Sequence, residues 1–166
     1  MTDIYIVQHE GLVAVHRAIL AEFAPVIAGA STPLSTLIPL ARGAAGFLLG
    51  HHDMESTVLF PGLRKLGRLR STDVAFLDAR DRDHEELHRL CESMIATTAA
   101  LHPHSATLAA QARDIVAILE PHTREEEAGL AAARLREMIS EAGLVELNRE
   151  LEAKRVAVQA RLAALG

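Results

Sequence analysis

The chain has 166 residues, enough for one domain with a core, and 49% of them are hydrophobic, which excludes a disordered tail. Alanine and leucine dominate that fraction while aromatic residues are only 3%, a balance that favours helix over strand. The net charge of −5 is spread over interspersed acids and bases, which argues against nucleic acid as a partner.

Apolar runs such as 44–50 are too short to span a bilayer, and no basic flank followed by an apolar core marks a secretory signal. No membrane partner is therefore expected. The single cysteine, Cys91, cannot form an intrachain disulfide, and a reducing cytoplasm is the expected location. Nine histidines are the unusual feature of the composition, because imidazole is the commonest protein metal ligand.

In chain order, the spacing predicts a first helix over 3–23, with Ile6, Val13, Ile19, Leu20 and Phe23 on one stripe beside His9 and His16. Pro25 to Pro33 reads as a loop. A second helix is expected over 34–66, with Phe47, His51, Glu55 and Leu59 facing inward and a kink or end at Pro61. Ser71 or Thr72 is the expected cap of a third helix reaching 101, with Leu77, Asp81, His84, His88, Cys91 and Ile95 on its stripe. A fourth helix is expected over 105–139, carrying Leu108, Ile115, Leu119, His122, Glu126 and Leu130 and bending at Pro121. A fifth, over 144–165, carries Leu147, Leu151, Val158 and Leu162 but no histidine. No segment shows sustained alternation. The fold expected is all-α, an antiparallel up-down four-helix bundle over 1–139 with an extra C-terminal helix over 140–166. That last helix would cover the bundle or pair two copies of the chain as a homodimer.

His51 and Glu55 are spaced i,i+4, which stacks an imidazole and a carboxylate on one helix face, and His122 and Glu126 repeat the device. The inward stripes bring His16, His51 with Glu55, His84 with His88, and His122 with Glu126 to one level of the core. Buried without partners these groups would be costly. Five imidazoles and two carboxylates exceed what one tetrahedral zinc needs and suit two bridged octahedral ions, with iron or manganese preferred to calcium or magnesium.

Other histidines carry less. His52 points about 100° from His51 and is expected to be exposed or outside the ligand set. His9 is expected to be a core or surface group, and His102 and His104 solvent histidines. Cys91 reads as a small buried hydrophobe. His84-Glu85-Glu86-Leu87-His88 matches the H-E-x-x-H pattern of zinc metalloproteases, with Glu85 as the general base, but that reading leaves five inward groups unused. A ferritin-like site would want Glu-x-x-His twice, and only Glu85 to His88 matches.

Taken together, Val15-His16-Arg17-Ala18, His51-His52-Asp53-Met54-Glu55 with Leu59-Phe60-Pro61, His84 to His88, and His122-Thr123-Arg124-Glu125-Glu126-Glu127 resemble the hemerythrin-like proteins of the HHE cation-binding type. The resemblance covers about residues 9–138. It implies a four-helix bundle holding two non-haem iron ions, oxo- or hydroxo-bridged, on His16, His51, Glu55, His84, His88, His122 and Glu126. Glu127 is the alternative to Glu126. It further implies a small gaseous or peroxide ligand at an open position, and hence binding or sensing of oxygen, nitric oxide or peroxide. An enzyme that degrades peroxide or oxidises ferrous iron is the alternative, and a structural or regulatory iron a third reading.

Overall fold

The computed structural model describes residues 3–163, with side chains described through 157. Helix α1 spans Ile4–Ala28, and α2 spans Leu34–Met54. A π-helical turn at Glu55–Leu59 continues α2 into α3, Phe60–Leu66. Then follow α4 (Ser71–Thr98), α5 (Ser105–Gly129), α6 (Ala132–Met138) and α7 (Glu141–Ala163). Among the described residues there is no strand. The all-helical expectation holds, and the long helices form a bundle in which α1 packs on α2 and α5, and α4 packs on the same two.

The buried positions explain why these segments pair. In α4 they are Asp73, Leu77, Arg80, His84, Leu87, Cys91, Met94 and Thr98. Those steps alternate four and three residues, which holds a stripe on one side of a helix that turns 3.6 residues at a time. Leu12, His16, Ile19, Phe23 and Val26 do the same in α1. In α5 the run is Leu108, Ala112, Ile115, Leu119, His122 and Glu126. In α2 it is Ala41, Ala45, Leu48 and His52, followed by Glu55 and Leu59 of the π turn.

The core is divided. One apolar cluster contains Ile19, Phe23, Leu48, Leu87, Cys91, Ile115 and Leu119. A second contains Leu12, Leu59, Phe60, Leu77, Leu130, Leu144 and Leu147. The histidines and glutamates of the stripes lie between the two along α1, α2 with its π turn, α4 and α5.

Several expectations are corrected. Helix α1 runs through Pro25 to Ala28. It is also long and apolar enough, by length and composition, to cross a bilayer, a property hidden when only uninterrupted apolar runs are counted. Its buried stripe packs against α2 and α5. Pro61 does not end its helix, which continues to Leu66. The π turn just before it has the Phe60 N–H bonded to the Glu55 carbonyl, and this wider turn accommodates a ring that would otherwise crowd the carbonyl four residues back. The third helix is capped at Arg70, whose N–H donates to Asp73 Oδ2 at 2.8 Å, so Ser71 is already helical. The fourth helix stops at Gly129, where a side chain would collide with the Phe76 ring, and resumes as α6. Ile6, Phe47 and Asp81 are not core residues: Ile6 and Phe47 are exposed, and Asp81 is paired with Arg64.

Helix α7 lies against α1, α2, the π turn and α3. Leu144 and Leu147 are fully buried there, and a Cβ on Gly62 would stand only 2.3 Å from Leu147 Cδ1, so that contact is as close as glycine allows. Val158 and Leu162, expected on the same helix's stripe, lie outside the residues whose side chains are described. Truncating the buried side chain, Leu147→Ala, is expected to cost about 2–5 kcal/mol. Val145→Ala, on the exposed side of the same helix, should stay within about 0.5 kcal/mol of the parent. Urea unfolding of both variants checks the difference.

Candidate metal centre

Four helices deliver one polar layer. His16 comes from α1, His51 and His52 from the last turn of α2, and Glu55 from the first residue of the π turn. His84 comes from α4, and His122 and Glu126 from α5. His16, His52, Glu55, His84, His122 and Glu126 are all buried, and His51 nearly so.

The donor atoms fall into two groups. His16, His51, Glu55 and Glu126 form one, and His52, His84 and His122 the other, with the donor atoms of each group within 4.8 Å of one another. In the first, His16 Nε2 lies 3.1 Å from His51 Nε2 and 3.5 Å from Glu126 Oε2, and His51 Nε2 lies 3.1 Å from Glu55 Oε1. The carboxylates also reach the second group. Glu55 Oε2 is 3.5 Å from His84 Nε2, and Glu126 Oε2 is 3.3 Å from His122 Nε2. Both glutamates therefore stand between the two groups.

These atoms fit a cation. Both oxygens of Glu55, both of Glu126, both nitrogens of His52, and Nε2 of His84 and His122 are buried without a hydrogen-bond partner. Such a concentration of orphaned polar atoms would be expensive in an apolar core. Ligands sharing one ion at metal–nitrogen distances of about 2.1 Å stand roughly 3.0–3.4 Å apart, close to the spacings seen.

The outer edges of the imidazoles are held. His16 Nδ1 is 3.0 Å from Glu127 Oε1, His84 Nδ1 is 2.8 Å from Ser56 Oγ, and His122 Nδ1 is 3.2 Å from Asp83 Oδ2. Asp83 is in turn bound by the buried Arg80 at 2.9 Å. Arg80 also pairs with Glu125 and donates to the His122 carbonyl. Partners at Nδ1 leave Nε2 free to act as a donor atom and fix the ring orientation.

Burial sets the proton inventory. It lowers His51 to about 4, with the neighbouring His16 ring adding to the effect. It lowers His84 to about 3, with His122 adding. It pushes His52 below the usual imidazole range as well, aided by His84. These three imidazoles are thus neutral, as ligands must be. Burial, with the adjacent Glu126 carboxylate, raises Glu55 well above the carboxylate range. Burial also acts to raise Glu126, but the close His122 and His16 rings outweigh it and hold the group low.

Of the residues expected as ligands, His16, His51, Glu55, His84, His122 and Glu126 converge. His88 does not join either group. It is half-buried, its ring stacked on His52 at 5.7 Å between centroids, and its Nε2 lacks a partner. His52, expected to be exposed, is fully buried, and stacks on His84 at 3.9 Å. It occupies the place expected for His88. The missed signal is the alternating stripe: stepping four then three from Ala41 leads through Ala45 and Leu48 to His52, while stepping four from His84 leaves the stripe at His88. Glu126 rather than Glu127 faces the centre. Pro121 sits within α5 without shifting the register, so His122 and Glu126 stay one turn apart. Glu85 is exposed, which removes the general base that a zinc-protease reading requires. Cys91 is buried, and burial raises its thiol to about 12, as for an inert core residue. His102 and His104 are exposed, as expected.

An all-helical bundle with buried histidine and glutamate groups of this kind defines a cation-binding domain. The family model of the hemerythrin HHE cation-binding domain matches residues 8–134, and the chain belongs to that family. No curated protein and no solved structure matches the chain.

Two outcomes follow for the metal-free protein and for its affinity. The unfolded histidines titrate near 6.5, and the folded His51 and His84 only near 4 and 3. The folded state therefore binds fewer protons in that window, and stability falls as pH drops from about 6.5 towards 4. The raised Glu55 acts in the opposite sense, but as one group against three. The urea midpoint of chelator-treated protein should accordingly be lower at pH 5 than at pH 7. Asp83→Ala, which removes the acceptor at His122 Nδ1, is expected to weaken metal binding by about 10–100-fold in a chelator competition titration.

Proposed function

We propose that the chain holds two iron ions between its helices and uses them to bind or sense dioxygen, nitric oxide or peroxide. The observation that carries this reading is the pair of buried glutamates, each within reach of both imidazole groups. One ion would be held by His16 and His51, the other by His52, His84 and His122, with Glu55 and Glu126 shared. Mixed nitrogen and oxygen donors suit iron or manganese better than calcium or magnesium. In this reading residues 1–139 form an antiparallel up-and-down four-helix domain, and 140–166 an accessory helix.

Bound iron would supply reversible coordination of a small ligand. The protein's own part is to keep the imidazoles neutral, to fix their Nε2 atoms inward through Ser56, Asp83 and Glu127, and to exclude bulk water with Leu12, Leu48, Leu59 and Leu119. Low water content limits loss of protons and reactive species from the site.

Metal analysis of protein from iron-supplemented cells is expected to give two irons per chain. Anaerobic ferrous loading followed by oxygen should produce a new absorption band in the near-ultraviolet or visible. One iron or none, or a spectrum indifferent to oxygen, would overturn the reading. His52→Ala should lower the iron content, and His88→Ala should leave it near that of the parent; the opposite pattern would return His88 to the ligand set.

A further inference from the structure

A cavity of about 180 Å³ opens beside the polar layer and ends on His51 and Glu55. Apart from the Gln8 amide, its walls away from the polar layer are apolar, with Leu12 and Val15 from α1, Met54 and Leu59 from the α2 segment, and Leu151 from α7. A second cavity, of about 310 Å³, reaches the other side of the layer at His16, but it is lined by Arg17, Glu120, Arg124 and Glu127. There the His16–Glu127 hydrogen bond stands between the cavity and the ring's inner nitrogen. The two approaches thus differ in chemistry, and the apolar one reaches the inner carboxylate.

Two features of this chain shape the apolar approach. Gly11 lines it, and a Cβ at that position would meet nothing within 4 Å. Glycine within a helix is less favourable than alanine by about 1 kcal/mol, so the absent side chain leaves room rather than relieving a clash. The remaining wall comes from α7, which lies beyond residues 8–134 matched by the family. Lys154 fastens that helix to Asp53 of α2 at 2.8 Å, next to the cavity residue Met54.

We propose that this cavity is a selective passage and holding site for small uncharged molecules on their way to the centre, with Gly11 and Leu151 setting its bore. The assignment of a ligand-binding centre below it rests on the function proposed above. An apolar cavity of this size accepts a neutral diatomic or a rare-gas atom, whereas a hydrated anion would have to shed its water against aliphatic walls and beside Glu55.

Xenon provides a probe that needs no iron. In methyl-resolved NMR spectra of the full-length chain under xenon pressure, the Leu12, Val15 and Leu151 signals should shift saturably, and formate at matching concentration should leave them in place. Gly11→Leu should weaken the xenon response at least tenfold while the protein stays folded. Leu151→Ala should keep or strengthen it. No xenon response in the parent, an equal response in Gly11→Leu, or an equal response to formate would overturn the passage. If xenon binds as expected but the iron-loaded chain ignores oxygen, the cavity's selectivity stands and the proposed function falls.

Discussion

Everything in this structure depends on two carboxylates placed where carboxylates are costly. Glu55 and Glu126 lie in the middle of the bundle with all four oxygens free of hydrogen-bond donors. Two like charges so close in an apolar interior cannot both persist without compensation. Protonation answers part of the difficulty, as the raised affinity of Glu55 for a proton shows. Cations between the glutamates and the surrounding imidazoles answer all of it. The outer ring of Ser56, Asp83, Arg80 and Glu127 belongs to the same solution, because it orients rings whose inner nitrogens would otherwise be free to turn away.

Much of this was legible in the residues. The i,i+4 pairs His51–Glu55 and His122–Glu126 need only helical geometry to be seen, and the structure keeps both on the inner face. His16 and His84 were visible because they fall among regularly spaced apolar residues. The errors have two causes. Each step of four residues overshoots a full turn by about 40°, so a stripe traced by repeated fours drifts off the buried side. That drift admitted Phe47 and passed over His52; on α4 the expected stripe did alternate four and three, but in the opposite phase from Leu77, so it took Asp81 and His88 where Arg80 and Leu87 are buried. Alternation of four and three keeps the seam, and the buried residues obey it, but its phase is set by the neighbouring helices and not by the spacing alone.

What the residues could not reveal was the behaviour of the chain at Pro61. A proline in a helical run announces an interruption, and a kink and a widened turn are equally available responses. The choice depends on what the following turn must bury. Here Phe60 and Leu63 belong to the lower apolar cluster, and a turn one residue wider brings them inward while Glu55 stays at the centre. The fit at Gly129, where the fourth helix stops, was likewise invisible, since the Phe76 ring that fills the place of a side chain comes from another helix.

The polar layer parts the interior into two hydrocarbon compartments, one above it and one below. At that waist the long helices are joined through the histidines and glutamates and through the Ser56, Asp83 and Glu127 contacts that orient the rings. Filled, that waist is a rivet through four rods. Emptied, it would be the weakest level of the bundle, so cations held there would also decide how firmly its two ends move together.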